Sequence, residues 1–248
     1  MSDLCEACVY GDIAKVKLLI SQGACVNIKD AYGNTPLHFA CNNGYYDIVE
    51  LLIFHGSNVN EKNSVKNSPM YLACLFGHYK IVELLISCNA CICDKDQFGV
   101  TSLHLSCYFG HHDVANLLIS NNADVNDIDN DDDTPLYAAC GSDAARETIK
   151  LLIFHGAKVN DKNNSGNSPL HRACYNNCYE TAALLINNNA HIHMENNDGQ
   201  TQMMIAKENN SNDVFEYLKK EMKKRMYILS LVINYDVMKH YIVKKIDL

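Results

Sequence analysis

The sequence contains no tryptophan, which removes a common aromatic anchor for carbohydrate and methylated lysine. Basic residues are in the minority, with 21 Lys and Arg against 29 Asp and Glu and a formal net charge of −8. Gripping nucleic acid needs clustered Lys and Arg on one surface; nucleic acid is therefore excluded as the expected partner, while a basic partner is favoured. The longest apolar stretch, Met226 to Ile233, is interrupted by Ser230 and falls far short of the ~20 residues that span a bilayer. No membrane span is expected. The start, Met1-Ser2-Asp3-Leu4-Cys5-Glu6, has neither the basic segment nor the apolar core of a secretory signal, so the expected location is cytoplasmic or nuclear. There is no glycine-rich phosphate loop, and no Cys/His or Ser/His pairing stands out from the repeat pattern described below. The expectation is that the chain is not an enzyme: no catalytic residue and no cofactor is assigned.

What is present is periodic. Hydrophobic residues make up 48% and charged residues 20%, the balance of a folded soluble chain rather than a disordered one. Frequent Asn, Ile, Tyr and Lys point to A/T-rich codons and hence to an A/T-rich genome, such as that of a protist, an intracellular bacterium or a large DNA virus. Thr35-Pro36-Leu37-His38 returns as Ser68-Pro69-Met70-Tyr71, Thr101-Ser102-Leu103-His104, Thr134-Pro135-Leu136-Tyr137 and Ser168-Pro169-Leu170-His171, with a worn copy at Thr201-Gln202-Met203-Met204. The steps are 33, 33, 33, 34 and 33 residues. A second block keeps phase with the first, from Val16-Lys17-Leu18-Leu19-Ile20 and Val49-Glu50-Leu51-Leu52-Ile53 through to Ala182-Ala183-Leu184-Leu185-Ile186.

Each copy reads as two short helices. Thr35 suits an N-cap and Pro36 the first helical position, where a missing N–H costs nothing. Leu37, Ala40 and Cys41 share one face, and Gly44 ends the helix. Ile48, Val49, Leu51 and Leu52 give the apolar stripe of a second, antiparallel helix. The polar stretch Asn58 to Asn67 is a loop. A single pair cannot bury both apolar faces, so neighbouring pairs must stack into a solenoid.

The 33-residue unit and its Thr-Pro-Leu-His motif resemble the ankyrin family over about residues 2 to 220. The resemblance implies an all-α ankyrin-repeat solenoid of helix-turn-helix units with β-turn fingers. It divides the chain into an N-terminal cap (1–33), five repeats (34–66, 67–99, 100–132, 133–166, 167–199), a C-terminal cap (200–222) and a non-repeat C-terminal helical tail (223–248). It also implies that Thr35 and His38, Thr101 and His104, and Ser168 and His171 bond within and between repeats, so these histidines are structural. Tyr71 and Tyr137 depart from the motif and need other partners. The tail mixes basic residues with Tyr227, Ile228, Leu229, Leu231, Val232, Ile233, Tyr241, Ile242 and Val243. It reads as helix covering the open end of the stack, or as a docking or membrane-surface segment. It lacks the box with which some ankyrin proteins recruit ubiquitin-ligase machinery.

Cys8, Cys41, Cys74, Cys107, Cys140 and Cys174 recur at one site. They read as small buried hydrophobes. Stacked helices lie about 8–10 Å apart and a disulfide needs Cα atoms within about 7 Å, so equivalent cysteines should not bridge. Cys88, Cys91 and Cys93, with Asp94 and Asp96, form half of a zinc pattern without a second cluster; no metal is assigned. Asp127, Asp129 and Asp131 start like an EF-hand, but Asp132 stands where that loop needs Gly and Ala138 where it needs Glu. Asn126, within Leu118…Asp124-Val125-Asn126, resembles sites that an asparaginyl hydroxylase modifies on ankyrin proteins, and Asn also suits a turn there unaided.

The family meets its ligands on the concave face, through fingertips and first-helix ends. The finger positions are Tyr32 and Asn34, Val65 and Asn67, Phe98 and Val100, Asp131 and Asp133, and Ser165 and Asn167. Among finger and helix-end positions, Leu75, Phe76, Phe98, Val100, Tyr108 and Phe109 put an apolar patch in two adjacent repeats, with Asp131 and Asp133 beside it. Such residues are free of the stacking task, so a run of aromatics there has the composition of an interface hot spot. The expected function is a monomeric scaffold or adaptor for a protein partner with apolar anchors and Lys or Arg, a host protein if the codon signature is a guide. The alternative is a metal-binding or enzymatic protein on the same frame.

Overall fold

The computed structural model describes the backbone of residues 2–246 and the side chains of residues 2–230. Each periodic block becomes a helix pair: α1 (Asp3–Tyr10) with α2 (Ile13–Ser21), α3 (Pro36–Asn43) with α4 (Tyr46–Phe54), α5 (Pro69–Leu75) with α6 (Tyr79–Ser87), α7 (Ser102–Tyr108) with α8 (His112–Ser120), α9 (Pro135–Ala139) with α10 (Arg146–Phe154), α11 (Pro169–Tyr175) with α12 (Tyr179–Asn187), and α13 (Gln202–Glu208) with α14 (Asn212–Ile246). First helices pack on first helices and second on second along the stack. Among the described residues no strand forms; two isolated bridges, Lys95 to Thr101 and Glu195 to Thr201, mark finger bases.

The tetrapeptide shows why the helices start where they do. Thr35 has extended backbone (φ −95°, ψ 166°). Its N–H donates to His38 Nδ1 at 3.1 Å. Since Nδ1 accepts, the ring proton sits on Nε2, which donates to the Asn67 carbonyl of the next repeat at 3.1 Å. His104 makes the same bridge to Asp133 O at 2.9 Å, whereas His171 Nε2 donates to Met194 O, in its own repeat, at 3.0 Å. Burial holds all three histidines below their ordinary pKa. Tyr71 finds its substitute partner in Asp96, donating to Oδ2 at 2.9 Å. Tyr137 lies under the Arg172 guanidinium, 5.3 Å from its ring centroid.

The interior is built from Leu37, Leu52, Met70, Leu85, Leu103, Leu118, Leu136, Leu152 and Leu170, all at most 2% exposed. The six periodic cysteines are fully buried and free. Burial pushes their thiols up, to about 12 for Cys8 and Cys74. A side chain at Gly77 (φ 70°) would place its Cβ 2.7 Å from His111, whose ring packs on that turn, so the turn between α5 and α6 demands glycine.

The single 34-residue step has a local cause. In the fifth pair α9 is only five residues long, and a 3-10 turn at Asp143–Ala145 absorbs the extra residue before α10. At the far end, α14 begins as an ordinary second helix with Val214 and Leu218 buried. It then continues without a break through the boundary placed between cap and tail. Met226, Tyr227, Ile228 and Leu229 are 69, 65, 50 and 59% exposed, so this part of the tail does not cover the stack. The apolar side chains of Leu231, Val232, Ile233, Tyr241, Ile242 and Val243 lie outside those described.

Candidate protein-binding face

Each finger is organised by one carboxamide or carboxylate. Asp96 Oδ1 accepts from the N–H groups of Phe98 (2.8 Å) and Val100 (2.9 Å), and Asp129 Oδ1 accepts from Asp131 and Asp133 at 2.9 Å each. Asp30, Asn63, Asn163 and Asn196 do likewise in the other fingers. The metal-like acidic residues are thus spent on turns and pairs: Asp94 meets Lys62 at 2.8 Å and Asp127 meets Lys95 at 2.7 Å. Among the described residues no group of three His, Cys, Asp or Glu is arranged to hold an ion.

Successive fingers are joined through their tips. Ser64 N–H donates to Tyr32 O, Gln97 to Val65 O, Asn130 to Phe98 O, Asn164 to Asp131 O and Asn197 to Ser165 O, at 2.9–3.2 Å. The backbone ladder fixes a row of outward side chains: Tyr32 (73% exposed), Val65 (39%), Phe98 (62%), then the exposed Asp131 and Ser165. Tyr32 and Val65 therefore extend the apolar row beyond the residues singled out from sequence. They hold the same finger position as Phe98, which is the signal that could have included them.

The helix ends supply the second row. Phe76 and Phe109 are each 49% exposed and Tyr108 is 51% exposed. Phe109 stacks on His111 (6.0 Å, 22°) and meets Tyr108 edge-on (4.9 Å, 80°), while Phe76 stacks on His78 (6.1 Å, 28°). His78 Nε2 donates to Asn42 O and His111 Nε2 to Leu75 O, each at 3.2 Å, so the rings under the phenylalanines are fixed by the preceding repeat. Leu75 and Val100 are half-buried, and Phe98 has no ring partner among the described residues. Helix end and finger base do share a hollow: two repeats on, Tyr175 and Asn167 line one with Tyr137, His171, Arg172 and Ile205. They occupy the positions of Tyr108 and Val100.

Asp131 and Asp133, read alike from the sequence, differ. Asp131 is exposed. Asp133 is half-buried: its Oδ1 accepts from Asn163 Nδ2 at 2.7 Å and its carbonyl accepts from His104. Burial pushes its carboxyl up to about 6, helped by Asp129 and Asp131 and opposed by the Asn163 hydrogen bond. Asp133 is therefore not free of the stacking task. Sequence reasoning also passed over Arg172. The equivalent positions carry Glu6, Phe39, Leu72, Leu105, Ala138 and Ile205, and a single cation in that series was the available sign.

Asn126 has a larger role than suiting a turn. Its Nδ2 donates to Gly156 O at 3.2 Å and its Oδ1 accepts from Lys158 N–H at 3.0 Å. Asn27, Asn60 and Asn160 bridge to their next repeats in the same way.

A family model described as "Ankyrin repeats (3 copies)" matches residues 3–63, 55–129 and 136–228. The crystal structure of the human ASB11 ankyrin repeat domain superposes with a TM-score of 0.79 and 26% identity, covering 88% of this chain and 96% of that one. Protein phosphatase 1 regulatory subunit 27 of human and of mouse is 46% identical over 48 residues, 19% of this chain. The match spans 31% of the length of these relatives.

Proposed function

The chain belongs to the ankyrin-repeat family, whose repeats are protein-interaction modules, and from that premise we propose that it is a non-enzymatic scaffold or adaptor that seats a protein partner on its finger face. One observation carries the reading: adjacent repeats expose Phe76, Phe98, Tyr108 and Phe109 at positions that stacking leaves free. Contiguous exposed aromatics of this kind are what interface hot spots are made of. Leu75 and Val100 back the patch from half-buried positions, Tyr32 and Val65 extend it, and Asp131 flanks it with negative charge. Asp133 contributes to the flank chiefly by holding the finger. The matching partner presents apolar side chains beside Lys or Arg. The regulatory-subunit description of the curated relatives supports a non-catalytic role. The chain works in the cytoplasm or nucleus, a reading favoured by twelve free thiols, and a host-directed role has only the bias toward residues with A/T-rich codons in its support.

Affinity capture from the native cell, quantified by mass spectrometry, tests this. The full chain is expected to retain a specific protein that the Phe98→Ala/Phe109→Ala variant loses while melting at the same temperature. Undiminished capture by the variant would remove the finger face from consideration.

A further inference from the structure

The charge along the chain is unevenly divided. Residues 219–248 hold eight Lys or Arg against three Asp or Glu, whereas residues 1–218 hold 13 against 26. The tail's basic cluster is Lys219, Lys220, Lys223, Lys224 and Arg225. Lys219 and Lys224 pair with Glu216 and Glu221 on their own helix. Lys220, Lys223 and Arg225 have no carboxylate partner among the described residues. Next come Met226, Tyr227, Ile228 and Leu229. Four consecutive residues at about 100° per residue go once round a helix, and all four are at least half exposed. This turn of α14 is therefore an apolar girdle standing clear on every side.

Such a girdle needs an enclosing partner. A lipid surface suits a helix with one apolar and one polar face, and this turn has no polar face. Two tails side by side would bring their basic clusters together, which is repulsive. The unbroken helix cannot turn the girdle back onto its own repeats. What fits is a surface that offers aromatic contact beside negative charge, and the finger face is that surface. Spacing agrees as well as charge. Lys220 precedes Tyr227, on the same helix face, by seven residues, about 10 Å along a helix. The acidic finger bearing Asp131 is one repeat from the finger bearing Phe98, about 8–10 Å.

We propose that the tail of one copy docks in the finger face of a second copy, with Lys220 and Lys223, which share a helix face, toward the Asp131 finger and the Met226–Leu229 girdle on Phe98 and Phe109. The inference rests on the finger face being a binding surface, and it replaces the monomer expected from sequence with head-to-tail self-association. Such a contact is heterologous: two copies that exchange tails close a dimer, and copies that do not exchange tails form an open chain.

The test is sedimentation of the full chain over a range of concentrations, with two variants. One carries Lys220→Glu, Lys223→Glu and Ile228→Asp on the tail; the other carries Phe98→Ala and Phe109→Ala on the face. Circular dichroism and melting check that each is folded. The wild type is expected to associate with rising concentration, less at high salt, and each variant at least tenfold more weakly. Mixed together, the variants should form a one-to-one complex, because one supplies an intact tail and the other an intact face. A wild type that stays monomeric overturns the proposal, as does absence of rescue on mixing, which would mean tail-to-tail pairing. Tail-dependent sedimentation with anionic phosphatidylserine vesicles in place of self-association would reassign the tail to lipid. If the wild type is monomeric while face variants still lose a foreign partner, the self-docking fails and the finger-face reading survives.

Discussion

The two faces of the stack both expose aromatic rings, and the more exposed rings are the less informative. On the second-helix face Phe54 and Phe154 are 83 and 84% exposed, well above Phe76, Phe98, Tyr108 or Phe109. Yet among the described residues the ring partner of each is its sequence neighbour, a histidine, edge-on at 5.2 Å. They stand three repeats apart in two copies of the same Ile-Phe-His-Gly segment. On the finger face the rings are 49–62% exposed, but they fall in adjacent repeats, and Phe76 and Phe109 are held by histidines bonded to the preceding repeat. Scattered apolar residues are ordinary on a protein surface, and contiguous ones mark a site. Contiguity and rigidity, more than exposure, distinguish the finger face.

The largest expected effect lies in neither face but in the layer between them, and it sets the scale for both. Leu85→Ala opens a cavity beneath α6 and should cost about 3–5 kcal/mol of unfolding free energy, read from denaturant titration. A loss below about 1 kcal/mol would mean that the stack is not close-packed there. The faces themselves separate next. Phe98→Ala and Phe109→Ala should each weaken partner binding by about 2 kcal/mol, roughly thirtyfold. Neither should change stability by more than about 0.5 kcal/mol. Phe54→Ala and Phe154→Ala should leave both quantities unchanged. Calorimetric titration and thermal melts of the four variants check this, and equal losses from both faces would erase the distinction.

Two smaller effects sharpen the acidic flank. His38, His104 and His171 have depressed pKa values in the fold. Their contribution is present above the unfolded value of about 6.5 and is lost as pH falls below it. The carboxyl of Asp133 is raised to about 6. Its contribution has the opposite sign, present at low pH and lost as pH rises through that value. Asp133→Asn should therefore raise the melting temperature at pH 7 and make the fall between pH 7 and 5 steeper than in wild type. Parallel curves would refute the burial of Asp133. The smallest effect belongs to Asp131→Asn, which should slow association and flatten its salt dependence without altering dissociation, as stopped-flow mixing would show.

The helix pairs and their caps were legible because they obey one period, and His38, His104 and His171 carried the motif into its bridges. Tyr71 announced itself as an exception, though its partner Asp96 is 25 residues away and visible only in the fold. Asn126 does sit in a turn, but its bridge was not legible because its partners, Gly156 and Lys158, sit in the next repeat. Asp131 and Asp133 looked alike because a sequence shows charge but not depth. Helix in the tail was expected, but not its continuity with the second helix of the seventh unit, since no helix stop follows Leu218 to mark where that unit ends. The candidate residues of the finger face stand out for a simpler reason: where stacking does not choose the side chain, an aromatic choice is visible against the repeat.

The most direct measurement is hydrogen exchange on the full chain, free and bound to the captured partner. The finger face predicts slowed exchange around residues 75–77, 98–101, 108–111 and 130–133, with the Tyr46–Phe54 and Arg146–Phe154 helices unchanged. Protection confined to those second helices, with the fingers exchanging as in the free chain, would contradict it.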